Sequence, residues 1–446
     1  MDTIVACSTP IAHSGIALIR MSGEKALQII HQLVKKELKH RQSTFCTLRD
    51  HDKIIDTCMV CVFISPRSYT GENIVEISCH GNPVIIENIV QQCVKRGARP
   101  ARRGEFTKRA FLNKKLSLLQ AESIDALIHS TSVSGVEIAQ HGVDGEIDLF
   151  IENMQQRLLD ICAELEARLD YPGDELEYIN DDALIERMND LISKVQEQCR
   201  SWENSKRRIY GAKVALVGEV NAGKSSLFNQ LVGMERAIVS SIPGTTRDII
   251  EKSVYINGLE VCFFDTAGQR ENSDDEIEIM GMNLGYQLIK EMDAVVVVIN
   301  PKNMNLYKIE SFLKSINKQC LVVYSHADLV LEYKEIEDVF NDLNCTYISI
   351  SSKTGEGIDT LKESIYQKLF QRKSGSLHLI TSQRQYDILI SLSNYLKEAS
   401  QVLPELGPAI AIDELTTCLE KMSEFSGHDV RELILDNLFS RFCIGK

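Results

Sequence analysis

The sequence predicts a multidomain α/β protein: an N-terminal α+β domain, then a helical bundle, with a doubly wound, mostly parallel sheet inserted into the bundle. Three observations carry this. Residues 1–118 mix short β-like runs with helical stretches. From about 119, apolar residues recur at three- and four-residue spacing, one stripe per helix. Between 206 and 375, apolar runs such as VALVG, VCFFD, AVVVVIN, CLVVYS and TYISI alternate with helical stretches. Near-continuous apolar strands of this kind are buried on both faces, as in a parallel sheet covered by helices.

Element by element, the N-terminal domain (1–118) is expected to hold strands at Thr3–Ala6, Gly15–Arg20, Ile54–Ile64 and Asn73–Cys79, with helices near 24–38 and 84–95. The first part of the helical domain (119–205) carries a stripe of Ile147, Phe150, Ile151, Met154, Leu158, Ile161, Cys162, Leu165 and Leu169. Leu184, Met188, Leu191, Ile192 and Val195 continue it in a second helix. The pattern returns at 376–446 with Ile388, Leu392, Tyr395, Leu396 and Ala399, then Leu415, Leu419 and Met422. The interruption at 206–375 therefore reads as an inserted domain.

Of 446 residues, 44% are hydrophobic and 25% charged, an ordinary globular balance. No apolar run approaches the roughly 18 residues of a membrane span. The start, MDTIVACSTP, lacks a basic segment followed by an apolar one, so a cytoplasmic protein without membrane association is expected. Thirteen cysteines without a secretion signal fit reduced thiols. Cys58 and Cys61 form a CxxC within a β-like run, where positions three apart face opposite ways, which argues against a metal pair. A net charge of −14 argues against binding nucleic acid by bulk attraction. Residues 95–115, KRGARPARRGEFTKRAFLNKK, nevertheless carry nine Lys or Arg against Glu105 alone. Composition leaves open whether this run is a solvated face or a site for phosphates or carboxylates.

The segment GEVNAGKS, 218–225, has the spacing G-x-x-x-x-G-K-[ST] between the strand Val214–Val217 and the helix Ser226–Leu231. Glycines let Asn221, Ala222 and Gly223 wrap a phosphate, and the helix start offers unpaired N–H groups down to Ser226. Lys224 reaches the β- and γ-phosphates, and the Ser225 hydroxyl suits Mg²⁺. Downstream, Gly244-Thr245-Thr246 is placed to close over the γ-phosphate. After the hairpin signal Asn257-Gly258, a strand ends in Asp265-Thr266-Ala267-Gly268, where an acid and a glycine amide meet metal and phosphate. Asp328 and then Ser351-Ser352-Lys353 end later strands. This is the order of a Ras-like P-loop GTPase that binds GTP with Mg²⁺. The base reader departs from the usual Asn-Lys-x-Asp: here it is Ser325-His326-Ala327-Asp328. Asp328 retains the carboxylate that reads guanine N1–H and N2–H₂. Ser325 is shorter than asparagine, and His326 replaces the lysine stem over the ring, so guanine preference with reduced affinity is expected.

Beyond the GTPase segment, the chain resembles the MnmE (TrmE) family of potassium-activated, tRNA-uridine-modifying GTPases. The resemblance rests on DTIVACSTP, GIALIRMSG, SYTGENIVEISCHGNP, GEFTKRAFLNKKLSLLQAE and the terminal FCIGK. It implies action with an FAD-dependent MnmG-type partner, in a heterotetramer or larger complex, on the wobble uridine of certain tRNAs. An aminomethyl or carboxymethylaminomethyl group would be added at C5, with carbon from 5,10-methylene- or 5-formyl-tetrahydrofolate. It implies a homodimer through the N-terminal domain and folate contacts at Arg20, Glu76, Lys115 and Lys446, with Cys443 near that pocket as a catalytic or positioning group. It further implies hydrolysis by paired G domains with a K⁺ ion held by Asn221 and the loop Ser240-Ser241-Ile242-Pro243-Gly244-Thr245. Within that loop Ser240, Ile242 and Thr245 would be ligands, while Ser225 and Thr246 hold Mg²⁺. Glu278, by the pattern E-x-E-x-x-G, would orient the attacking water. Gln269 stands where the family usually has an apolar residue, and it could assist or replace Glu278. Val220 stands for a common proline, and the stretch Ser273-Asp274-Asp275 makes the switch one residue longer. The competing class is a regulatory or ribosome-assembly GTPase that acts as a switch without RNA chemistry.

Overall fold

The computed structural model describes residues 2–171, 179–218, 222–233, 250–265, 289–300, 320–325, 328, 346–370, 379–427 and 432–445. Two compact units emerge. One comprises Met1–Asp125, Gly142–Ile192 and Ile390–Lys446; the other comprises Ala126–His141 and Ser193–Leu389. Among the described residues no helix is long and apolar enough to cross a membrane.

The first unit contains a six-stranded sheet in the order β3-β4-β5-β2-β1-β6. Its strands are β1 (Thr3–Cys7), β2 (Ser14–Ser22), β3 (Thr44–Asp50), β4 (Lys53–Phe63), β5 (Ile74–Gly81) and β6 (Ala98–Pro100). All neighbours are antiparallel except the parallel pair β1–β6. β3 and β6 were not among the expected strands. The helices α1 (Ala26–Leu33) and α2 (Pro83–Lys95) cover one face, burying Ile29, Ile30, Ile86 and Ile89 against Ile19, Val60 and Ile77. Asn82 caps α2 by accepting the Val84 N–H at 2.9 Å, and Pro83 occupies the first helical position, where no N–H is needed. On the opposite face, α3 (Glu105–Leu112) places Phe106 over Ile4 and Ala6.

Cys58 and Cys61 do face opposite ways on β4: Cys58 is buried, and burial pushes its thiol up to about 12, while Cys61 is half-buried. At the β4–β5 end, the buried Asp56 accepts from the N–H groups of Thr57 (2.8 Å) and His80 (2.9 Å) and contacts His80 Nδ1 at 2.7 Å. An Asp56→Ala change leaves two backbone donors unpaired, a cost of about 2 kcal/mol. Exchange of the Thr57 and His80 amides should then quicken by roughly 30-fold in hydrogen–deuterium exchange, which resolves local opening. Unchanged protection would contradict the structural weight given to this carboxylate.

The long helix α6 (Glu146–Asp170) follows α4 (Leu118–His129) and α5 (Val133–Val143) and packs along a C-terminal helix, Pro408–Ser426. The predicted stripe from Ile147 to Leu165 is buried apart from Phe150, and Leu169 in the last turn is exposed. Gly427, at φ +87°, ends the C-terminal helix by capping back to Ser423 and Glu424.

The helix α7 (Asp181–Tyr210), which belongs to the second unit from Ser193 on, leads into β7 (Ala212–Val217). Arg207 fixes this junction, donating to Asp293 Oδ1 at 2.8 Å and to the Leu369 carbonyl at 3.1 Å. The second sheet has the order β12-β11-β10-β7-β9-β8. Its further strands are β8 (Ile250–Ile256), β9 (Leu259–Asp265), β10 (Ala294–Ile299), β11 (Cys320–Tyr324) and β12 (Thr346–Ser349). β8 alone is antiparallel to its neighbour. The helices α8 (Lys224–Gly233) and α9 (Ile358–Phe370) pack on one face through Leu227, Leu231, Leu361 and Ile365. The architecture is the expected one: a multidomain chain with an α+β sheet domain, helices and a doubly wound, mostly parallel sheet.

Candidate functional site

Parallel strands carry ligands at their carboxyl ends, where connecting loops converge. Register brings those ends together here: Asp265 pairs with Leu216, Val217 with Val297, and Ile299 with Tyr324. The loop after β7 begins at Gly218, packed so closely on β10 that a Cβ would lie 2.2 Å from the Val298 carbonyl oxygen. Gly223 adopts φ +92°, which admits glycine readily. Lys224, buried, donates from Nζ to the Gly218 carbonyl at 2.8 Å. The lysine thus spans the loop and sits ready to exchange that carbonyl for phosphate oxygens. Ala222 is buried, while Ser225 and Ser226 in the first turn of α8 are exposed. Helix start, glycine cradle and lysine together fit a polyphosphate.

The end where the sequence places the base reader is built by three strand ends. Ser325 follows β11; its N–H and Oγ both donate to the Ile299 carbonyl, at 2.9 and 3.2 Å, bracing β11 to β10. Asp328 is exposed, and its Oδ1 accepts from the Ser351 hydroxyl at 3.1 Å. Ser351 is itself buried; its N–H donates to Glu356 O at 3.0 Å, and its Oγ accepts from Thr354 N–H. Asp328 is therefore aimed by a serine anchored in the following turn. The neighbouring Ser352 Oγ is buried without a partner among the described residues, an atom that a bound ligand can satisfy. Lys353 lies beside it in the same turn.

In the first unit, Arg20 and Glu76 are directly opposed on β2 and β5. Arg20 donates from Nε and Nη2 to Glu76 Oε1 at 2.9 and 2.7 Å. The guanidinium lies 5.7 Å from the Tyr69 ring centroid and 5.9 Å from that of Phe106. The C-terminal tail is laid over this place. The Gly445 carbonyl accepts from Ser8 Oγ at 2.9 Å and from Arg20 Nη1 at 3.4 Å. Arg103 bridges Ile444, and Gly104 N–H donates to the Cys443 carbonyl at 3.3 Å. Cys443 is exposed. Lys115 is also exposed and runs beside Gly71.

Of the site residues expected from sequence, Arg20, Glu76 and the tail bearing Cys443 are thus brought together, as are Asp328 and Ser351. Asp265 ends β9 beside β7. Asn221, Ser240, Ser241, Ile242, Pro243, Gly244, Thr245, Thr246, Thr266, Ala267, Gly268, Gln269, Glu278, His326 and Lys446 lie outside the described residues. Ser8, Tyr69, Phe106 and Gly445 are new members of the N-terminal site. All four sit inside the quoted motifs, so a signal was available for each, but only the packing shows which of the motif residues meet Arg20 and the tail.

Two family models match the chain: the GTP-binding protein TrmE N-terminus over residues 3–115, and the MnmE helical domain over residues 118–443. A tRNA modification GTPase MnmE from Thermotoga sp. (strain RQ2) is 35% identical over 455 residues, covering 100% of both chains. One from Francisella tularensis subsp. holarctica (strain FTNF002-00 / FTA) is 37% identical over 453 residues, covering 100% of this chain and 99% of the relative. With a P-loop at the strand ends and a pinned C-terminal tail in place, these full-length likenesses show that the chain belongs to the MnmE (TrmE) family of tRNA modification GTPases.

Proposed function

We propose that this tRNA modification GTPase acts with an FAD-dependent MnmG-type partner to add an aminomethyl or carboxymethylaminomethyl group to C5 of the wobble uridine. The carbon would come from 5,10-methylene- or 5-formyl-tetrahydrofolate. Support for the folate comes chiefly from the Arg20–Glu76 pair held under the C-terminal tail. Both bonds from Arg20 to Glu76 go to Oε1, so Oε2 would be the atom offered to a donor such as a pterin N–H. Lys115 and Lys446 would receive the folate's carboxylates, and Cys443 would act or position beside it. In this reading 1–118 binds folate and forms the homodimer, 119–205 with 376–446 is the helical domain, and 206–375 is the inserted GTPase domain of a cytoplasmic enzyme.

For hydrolysis, Lys224 neutralises phosphate oxygens as charge moves toward the β–γ bridge. Ser225 and Thr246 would hold Mg²⁺, and Asn221, Ser240, Ile242 and Thr245 would hold K⁺. A bound K⁺ supplies positive charge where another GTPase uses an arginine. Gln269 or Glu278 would orient the attacking water. Steady-state hydrolysis in KCl and NaCl, with ATP and XTP as competitors, tests this. Stimulation by K⁺ of at least ~10-fold, resistant to ATP, is expected. Equal turnover in both salts would refute the potassium mechanism, and absence of turnover in either would refute the whole reading.

A further inference from the structure

Beside the tail, a cavity of about 570 Å³ opens between β6, α3 and the helix Glu432–Ser440. Its lining includes five cations, Arg99, Arg102, Arg103, Lys108 and Arg109, against three carboxylates, Asp2, Glu105 and Asp436. Five against three leaves a surplus of two positive charges among the lining residues, and of one when Glu72, paired with Arg109 behind them, is counted, on a chain whose formal net charge is −14. The cations fall into two groups. Arg99 and Arg109 are tied to Asp2 and Glu105, and Arg109, almost fully buried, also meets Glu72 at 3.0 Å. They form a rigid floor.

The rim differs. Arg102 is exposed, and its bonds to Glu105 use its backbone: its N–H donates to the carboxylate at 2.8 Å and its carbonyl accepts from the Glu105 N–H at 3.3 Å. Arg103 uses Nε on the Phe442 carbonyl at 3.1 Å. Its two terminal nitrogens have no hydrogen bond among the described residues. Lys108 Nζ rests on Asp436 Oδ1 at 2.6 Å, and that carboxylate is half exposed, so a stronger anion can displace it. Two planar guanidinium forks and a displaceable lysine suit tetrahedral, multiply accepting phosphates better than single carboxylates.

We propose that this cavity is a docking site for the sugar–phosphate backbone of the RNA substrate, taking two consecutive phosphates on Arg102, Arg103 and Lys108. The proposal rests on the tRNA-modifying reading above and deepens it. Position supports it: Arg103 and Gly104 pair with the strand-like tail at Cys443–Ile444, so a backbone gripped here passes the candidate one-carbon site. Asp436 then acts as an internal mimic of phosphate that must be displaced.

The test is binding of an unmodified tRNA transcript to the full chain between ~50 and ~200 mM salt, where phosphate contacts dominate the salt dependence. Arg102→Ala and Lys108→Ala should each weaken binding about 5-fold or more and lower the log–log salt slope by about 1. Asp436→Asn should tighten binding, by roughly 3-fold, because it removes a competing anion; a folding defect does not move affinity that way. Potassium-stimulated GTP hydrolysis should be unchanged in all three, which separates this proposal from the reading it rests on. Wild-type binding that is absent or insensitive to salt would overturn the proposal. So would variants that bind tRNA normally, or variants that lose affinity only for an oligoglutamyl reduced folate, which would make the cavity a folate-tail site.

Discussion

Asp328→Asn is expected to abolish turnover of GTP and to transfer it to XTP. Guanine offers N1–H and N2–H₂ to the Asp328 carboxylate, and each bond to a charged acceptor is worth about 1.5–3 kcal/mol. Asparagine keeps one acceptor and turns a donor toward the guanine amino group, so GTP affinity should fall by roughly 10²- to 10⁴-fold. Xanthine carries a carbonyl where guanine has the amino group, so the asparagine N–H₂ is matched again. The Ser351 hydroxyl aims the side chain at 3.1 Å, and asparagine preserves that contact through its carbonyl oxygen. The measurement is steady-state hydrolysis of GTP and XTP by both proteins in KCl. A variant that still prefers GTP would mean that Asp328 does not read the base. That outcome would count heavily here, because Ser325 and His326 replace the residues that usually share this task.

Gly445→Val is expected to remove uridine modification while leaving potassium-stimulated GTP hydrolysis within about 2-fold of normal. Gly445 has φ +90°, a conformation that valine disfavours strongly, and any Cβ there would lie 2.5 Å from Ser8 Cα and 2.6 Å from Cys7 O. The tail must lift. Ser8 and Arg20 then lose the Gly445 carbonyl, and the tail that carries Cys443 is no longer pinned to Arg20. Displacing reacting groups by ~1 Å costs on the order of 10²-fold in rate. Nucleoside mass spectrometry of tRNA after reaction reads the modification, and phosphate release reads the GTPase. If the modification persists at the normal rate, the pinned tail is not part of the chemistry. The phosphate loop lies in the other compact unit, so a joint loss of both activities would point to a defect in folding.

How much of this was legible beforehand differs from part to part. The phosphate loop was legible because its parts are contiguous: Gly218, Gly223 and Lys224 act within one turn, and the apolar strand before them announces its own burial. Strands β1, β2, β4 and β5 were legible for the same reason, since alternation along a strand is a local property. β6 was not, because three residues inside a basic run become a strand only through parallel pairing with β1. Asp328 and Ser351 were both named from strand ends, yet the hydrogen bond that joins them crosses 23 residues. Arg20 and Glu76, 56 residues apart, were named by motif, but they meet only through the register of β2 on β5.

The basic run shows the division most clearly. By itself the sequence determined that nine cations crowd residues 95–115 and that glycine stands next to the last residue. Only the tertiary structure decided that Arg96 goes to Asp50 and that Arg99 and Arg109 go to Asp2, Glu72 and Glu105, leaving Arg102, Arg103 and Lys108 at a cavity rim. Only the structure decided, too, that the terminal glycine's backbone closes on Ser8 and Arg20. Periodicity, turn chemistry and contiguous motifs are short-range and can be read along the chain. Charge pairing and register depend on which distant segments the packing of the core brings within a few ångströms, and no local pattern encodes that choice.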